Sequence, residues 1–152
     1  MRVEFYVAVM MLAATIASAQ TRPAPPAAGD ACSLLTKDDA VAALGEPVKG
    51  PDAKSIPGGP SACEYTGSGL QKVHLNVFQL SAANAAVYKA MCAQKGKEGL
   101  TGLGDTTCWY NDKHEELQVL KGLTFFSVEL RNAGDPTEAI KAIAKKVYDR
   151  LK

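Results

Sequence analysis

Apolar and polar residues alternate along KVHLNVFQL, residues 72–80. Side chains of a strand point alternately to its two faces, so this period of two predicts a strand with one apolar face. That face carries Val73, Leu75 and Val77, and the opposite face carries His74, Asn76 and Phe78. A short strand over 62–65 is predicted to pair with it through the turn Gly67-Ser68-Gly69.

Similar patterns predict three more strands, at Thr107–Asn111, Glu116–Lys121 and Leu123–Arg131, which form a meander. Four prolines and four glycines stand in residues 45–62, and this composition predicts a long loop.

Helical signals mark three other segments. In the first, which starts at Cys32, Thr36 and Asp39 have the spacing of a capping box, and Gly45 ends the helix. In the second, Ser81 caps a helix over Ala82–Gln94 that Gly96 closes. Its predicted packing face consists of Ala83, Val87, Ala90 and Met91.

The third helix begins at Asp135-Pro136, where a capping acid precedes a proline. Its predicted buried stripe consists of Ile140, Ile143, Val147 and Leu151. Runs of adjacent strands separated by single helices favour an α+β domain. We therefore predict an antiparallel sheet of about five strands with three helices packed on it, and we find no internal repeat.

The N-terminal residues indicate export. Arg2, an apolar run over 5–16 and the small residues Ala17-Ser18-Ala19 have the pattern of a secretory signal peptide, which we assign to residues 1–19. The apolar run is too short to span a bilayer. Residues 20–31 are rich in proline and alanine and predict a linker, so a single domain is expected over 32–152. The protein is expected to be periplasmic or secreted, with no stable membrane insertion after cleavage.

The charge of the chain is nearly balanced, with 17 Lys and Arg against 16 Asp and Glu. Nucleic acids and anionic membranes attract proteins with clustered positive charge, so this balance argues against nucleic acid as a partner. Lysines and an arginine recur at helical spacing over 141–150, which is typical of a solvated helix face.

Four cysteines in a small exported domain favour disulfides over thiols or metal ligands. None of them forms a Cys-x-x-Cys pair. Of the three possible connectivities, we predict Cys32–Cys63, which closes the loop rich in proline and glycine, and Cys92–Cys108, which ties the second helix to the following strand.

The stretch GLGDTTCWYNDKHEE, residues 102–116, also admits a catalytic interpretation, in which Cys108 is a nucleophile and His114 its base. A crosslinked cysteine cannot supply the thiolate that such a dyad needs. GLGD lacks the third glycine and the lysine of a phosphate loop and is interpreted as a tight turn. His74 and His114, with Met91, Glu115 and Glu116, are a possible copper or zinc set, but two histidines forty residues apart without a clear third ligand support it weakly, so neither metal nor cofactor is predicted.

The best functional candidate is therefore a surface of the predicted sheet. An apolar floor with a few polar groups suits a small-molecule or peptide pocket. The candidate binding residues are His74, Asn76, Phe78, Trp109, Tyr110 and Phe125. A helix that covers this face is the competing structural interpretation.

Several short motifs occur in order along the chain: Cys-Ser-Leu-Leu-Thr (32–36), Cys-Glu-Tyr (63–65), Gly-Leu-Gly-Asp (102–105) and a Leu-x-Val-x-Lys-Gly hairpin (117–122). This order resembles a group of bacterial exported and lipoprotein domains of unknown function, which are similar to extracellular sensor-type domains. The resemblance implies an α+β fold with disulfides outside the cytoplasm and transfers no catalytic residue. The lipid-accepting cysteine of the lipoprotein members is absent here.

Two functions follow as hypotheses. The first is a non-catalytic exported domain that binds an unknown small molecule or an envelope protein. The second is a small envelope hydrolase or metal-binding protein that uses His74 and His114. The second requires these histidines to converge with a carboxylate in a cleft.

Overall fold

The computed structural model describes residues 30–95 and 101–151. Its helices are α1 (Ala31–Leu34), α2 (Lys37–Leu44), α3 (Ala82–Cys92) and α4 (Thr137–Arg150). Its strands are β1 (Lys49–Ser55), β2 (Ser61–Thr66), β3 (Lys72–Gln79), β4 (Thr106–Trp109), β5 (Glu116–Lys121) and β6 (Thr124–Arg131). The described residues thus form the α+β domain with an antiparallel sheet that the sequence predicts.

The sheet has the strand order β1-β2-β3-β6-β5-β4, and every neighbouring pair is antiparallel. Short turns connect β1, β2 and β3 into one meander, and β4, β5 and β6 into another. The two meanders meet at the β3–β6 ladder, whose register runs from Lys72 opposite Arg131 to Gln79 opposite Thr124. The paired residues of this ladder are far apart in sequence. The β3–β6 ladder is therefore the long-range contact that joins the two meanders into one sheet.

One face of the sheet, the core face, packs against α1, α2 and α4. The predicted alternation on β3 is confirmed, since Val73, Leu75 and Val77 are fully buried on this face. The predicted stripe of α4 is also confirmed. Ile140, Ile143 and Val147 are buried together with Ala144, and Leu151 is buried just after the helix.

A buried carboxylate joins α2 to α4 beneath this face. Asp39 completes the predicted capping box with Thr36, and its side chain is only 4 % exposed. It also accepts hydrogen bonds from Lys146 Nζ at 2.9 Å and from Arg150 Nη1. These two cations and the Thr36 hydrogen bonds outweigh the effect of burial, so the pKa of Asp39 lies well below its usual range.

The opposite face, the open face, is covered by α3 at one end only. Here the predicted packing face of α3 is wrong, because Ala85, Tyr88 and Cys92 are buried whereas Val87 and Met91 are 58 % and 54 % exposed. The Cys92–Cys108 disulfide explains the difference, since it turns the face of α3 that contains Cys92 toward the sheet. Ser81 caps α3 as predicted, and Gly96 lies outside the described residues.

Both predicted disulfides are present, Cys32–Cys63 and Cys92–Cys108. The first fixes α1 to β2, and the second fixes the end of α3 to the edge strand β4. Each meander is therefore crosslinked to a helix that lies before it in the chain.

The predicted loop over 45–62 is wrong in part, because it contains the edge strand β1. All seven residues of β1 are exposed, so the strand has no apolar alternation to reveal it. It pairs with β2 around an irregularity at Gly50. A Cβ at Gly50 would lie 2.9 Å from the Glu64 carbonyl oxygen, and φ is +120°, which together require glycine.

At the N-terminal end of the described domain, two boundaries also differ from the prediction. The first helix is interrupted at Leu35 and Thr36, so α1 and α2 are separate helices. The domain begins before Cys32, because Asp30 caps α1 and the buried Ala31 N–H donates to Ser61 Oγ at 2.9 Å. The predicted signal peptide and most of the predicted linker lie outside the described residues. Within the described ranges no helix is long and apolar enough to cross a membrane.

Candidate functional site

The open face is organised as rows of side chains that run across the strands. In the row nearest to α3, Phe78 lies opposite Phe125, and Phe125 lies opposite Leu120. The next row aligns Asn76, Ser127 and Gln118. Residues two apart on a strand are separated by about 6.6 Å. The face therefore changes from aromatic to polar over a short distance.

A third row, the carboxylate row, crosses four strands. The register places Glu64 opposite His74, His74 opposite Glu129, and Glu129 opposite Glu116. Beyond this row lie two basic side chains. Lys72 Nζ pairs with Glu64 at 2.6 Å, and Arg131 makes two hydrogen bonds to Glu129, at 2.6 and 2.9 Å.

The three carboxylates act on the same cation. Glu129 raises the pKa of the Arg131 guanidinium through its hydrogen bonds and charge, and Glu64 and Glu116 raise it further by charge alone. Among the described residues, Glu116 forms no ion pair, and its Oε1 accepts a hydrogen bond from Gln118 Nε2 at 3.2 Å.

The aromatic end of the open face contains a cavity of about 250 Å³, which we call the aromatic pocket. It is lined by Phe78, Leu80, Asn84, Val87, Tyr88, Met91 and Phe125. The rings of Phe78 and Phe125 have centroids 4.7 Å apart, and Tyr88 meets Phe125 edge-on at 5.1 Å. Since aromatic pairs prefer tilted and edge-to-face arrangements, these contacts hold the three rings in place.

Tyr88 is the residue that closes the inner wall of the aromatic pocket. Its hydroxyl lies 3.7 Å from Cys108 Sγ, and because this sulfur belongs to a disulfide, the hydroxyl is the donor. Burial raises the pKa of Tyr88, and the charge of Glu116 raises it further. The carboxylate row is thus electrostatically coupled to the wall of the pocket.

Five of the six candidate binding residues lie on or beside the open face, whereas Trp109 does not. Phe78 and Phe125 line the aromatic pocket, while Asn76 and His74 stand on the rows beyond it. Trp109 lies opposite Leu117 on β5 and belongs to the buried cluster of the core face. The interpretation that Trp109 lies at the approach to this surface is therefore wrong, because successive residues of β4 point to opposite faces.

Tyr110 follows Trp109 and points to the side of α3. Its backbone N–H donates to Glu116 O at 2.9 Å, which continues the ladder. Lys95 follows α3 in the chain; its Nζ lies 4.6 Å from the Tyr110 ring centroid and donates to Tyr110 O at 3.0 Å. The ring is thus already engaged in a cation–π contact.

A second cavity, of about 360 Å³, lies at the turn after β4 and is lined in part by Lys95, Trp109, Tyr110 and His114. His114 stacks on Trp109 with centroids 4.6 Å apart. Trp109 Nε1 is buried without a hydrogen-bond partner among the residues that the structure describes. Trp109 as a whole residue is 3 % exposed, so it contributes mainly to the core here.

The two histidines contact different groups. His74 Nδ1 lies 3.8 Å from Glu129 Oε2 on the open face, whereas His114 stacks on Trp109. Within residues 30–95 and 101–151, no three His, Cys, Asp or Glu side chains converge as metal ligands. The described residues therefore supply no observation in favour of the hydrolase or metal-binding hypothesis.

Sequence reasoning missed Tyr88 and the cross-strand order of the carboxylates. A signal for Tyr88 was available, since it precedes Cys92 by one helical turn and a crosslinked cysteine must face the sheet. The carboxylate row had no local signal, because it depends on the β3–β6 pairing of two distant strands.

No family model matches the chain, and no match was found among curated proteins or solved structures. The resemblance to exported bacterial domains of unknown function stays a prediction.

Proposed function

We propose that this chain is a non-catalytic, exported binding domain, and that it binds its ligand or partner on the open face, with the aromatic pocket as the anchoring site. The observation that carries the proposal is the incomplete cover of the sheet. Three helices pack on the core face, whereas α3 covers one end of the open face and leaves a pocket with an exposed apolar rim.

The composition of the pocket supports binding. Binding pockets combine apolar and aromatic walls with a few polar groups that orient the ligand. Phe78, Tyr88 and Phe125 form such walls here, and Asn84 contributes a polar group. The pocket exceeds the roughly 150 Å³ that suffices for benzene in an apolar cavity. It therefore fits a single ring or a short branched chain.

Export is part of the same proposal. The signal-peptide pattern, the resemblance to exported domains and the two disulfides support a periplasmic or secreted location, because disulfides persist in oxidising compartments. Detection of a chain beginning near residue 20 in the periplasm or the medium is the expected result. A full-length chain that remains in the cytoplasm with four free thiols would contradict it.

The binding proposal is tested by a fragment screen on the oxidised protein, monitored by thermal shift and by amide chemical shifts. We expect apolar and aromatic fragments to perturb the amides of Phe78, Tyr88 and Phe125. Met91→Trp, at a half-exposed position on the rim, is expected to abolish these perturbations, and Ala142→Trp on the exposed side of α4 is the matched control. Fragments that bind only on the helices of the core face would refute the proposal.

A further inference from the structure

We propose that the ligand of the open face is an amphipathic cation, with an apolar group in the aromatic pocket and an amine over the carboxylate row at Glu116. This inference rests on the proposed function and specifies the chemistry of its ligand. It follows from the order of the rows, from the charges that stand on them and from the length of the path between them.

The path from pocket to charge runs along the strands. The row of Phe78 and Phe125 is four residues from the row of His74 and Glu129. At a rise of about 3.3 Å per residue, the two rows are about 13 Å apart. Between them lies the row of Asn76, Ser127 and Gln118, which carries no charge. A ligand whose apolar end lies in the pocket therefore reaches the carboxylates only if an extended chain of about this length separates its apolar end from its charged head.

The expected charge of the ligand head follows from the ion pairs on the open face. Across the outer rows there are three carboxylates and two cations, and both cations already have a carboxylate partner. Lys72 is paired with Glu64, and Arg131 is paired with Glu129. Among residues 30–95 and 101–151, Glu116 has one neutral side-chain hydrogen-bond donor, Gln118, and no cation, so these acidic and basic side chains leave one negative charge in excess.

The position of Glu116 relative to the pocket favours it as the site for the amine. Its charge acts on Tyr88, which forms the inner wall of the pocket, and its backbone is the ladder partner of Tyr110. Lys95 is a cation near this end of the row, and its Nζ is already held by the ring and the carbonyl oxygen of Tyr110. An anionic ligand head would be repelled by the Glu116 carboxylate. An ammonium group would instead be attracted to this carboxylate and would neutralise its charge.

The experiment compares octylamine, octanoate and octanol in amide chemical-shift titrations of the oxidised, full domain at low salt. All three probes share the apolar chain and differ in the charge of the head. We expect octylamine to bind about tenfold more tightly than octanoate, the order expected when one surface charge separates attraction from repulsion, with octanol between them. High salt should reduce this preference.

Glu116→Gln is the decisive variant. It should bring the affinities of octylamine and octanoate together, whereas the control Asp38→Asn, at an exposed position of α2, should leave the preference intact. Equal binding of the three probes to the native protein, or tighter binding of octanoate, would overturn the inference and leave the proposed function standing. Failure of all three probes to perturb the pocket amides would overturn both.

Discussion

The buried carboxylate of Asp39 gives the sharpest stability prediction. Asp39→Asn keeps the size of the side chain but removes the charge that faces Lys146 and Arg150. Removing one partner of a buried ion pair costs about 3–5 kcal/mol. Because the side chains of Lys146 and Arg150 are 50 % and 35 % exposed, these cations regain water, and we expect a smaller loss of about 2–3 kcal/mol at pH 7.

The pH dependence of the unfolding free energy tests whether the charge of Asp39 causes this loss. The pKa of Asp39 is lowered in the folded protein, so its contribution is fully present above the unfolded value of about 3.9 and is lost as the pH falls below it. The difference in unfolding free energy between native protein and Asp39→Asn should therefore shrink between pH 4 and pH 2. Other carboxylates titrate in both proteins and cancel in the difference.

Urea unfolding of the oxidised proteins, followed by circular dichroism at several pH values, measures this difference. Asp38→Asn is the matched control, since Asp38 is the neighbouring exposed acid in the first turn of α2. Its cost should be only a few tenths of a kcal/mol from the helix dipole. The reasoning would be refuted by equal costs at the two positions, or by an Asp39 difference that does not change with pH.

Two further predictions concern the turns and crosslinks. Gly104→Ala should cost about 3 kcal/mol in unfolding free energy, because φ is +67° and its Cβ would lie 2.5 Å from the Leu120 carbonyl oxygen. Gly102→Ala, with φ +79° and open space around it, should cost only about 1 kcal/mol, and similar costs at both sites would contradict the steric argument. Replacing both cysteines of a pair by alanine should cost about 4 kcal/mol for Cys32–Cys63, whose sequence separation is 31, and about 3 kcal/mol for Cys92–Cys108, with a separation of 16. Denaturant unfolding of each double variant measures which disulfide contributes more to the unfolding free energy. A larger cost for Cys92–Cys108 would show that the entropy of the closed loop in the unfolded chain does not dominate.

The parts of the fold that could be predicted from sequence are those with local signals. The apolar alternation of β3, the capping box of Thr36 and Asp39, and the stripe of α4 each reflect contacts within one element or one face. The cysteine pairing was predictable because it joined neighbouring predicted elements in a small exported chain.

The features that could not be predicted depend on contacts without a local pattern. β1 is an exposed edge strand held by backbone hydrogen bonds to one neighbour. Its sequence therefore has no apolar alternation and resembles that of a loop. The buried side of α3 was decided by the Cys92 crosslink rather than by the apolarity of Val87 and Met91. The alignment of Glu116 with Glu129 and His74 required the register of two ladders.

The arrangement of the two meanders also determines what a broken backbone would do to the molecule. β1, β2 and β3 precede α3, whereas β4, β5 and β6 follow it, and Cys92 and Cys108 stand on either side of the connection between α3 and β4. A single proteolytic cut in that connection would leave two fragments joined by a disulfide, by the β3–β6 ladder and by the ion pairs of Asp39 on α2 with α4. Reduction without a cut would leave them joined by the main chain. The two halves lose their covalent connection only after both a cut and reduction, and the non-covalent contacts between them alone then decide whether they stay together.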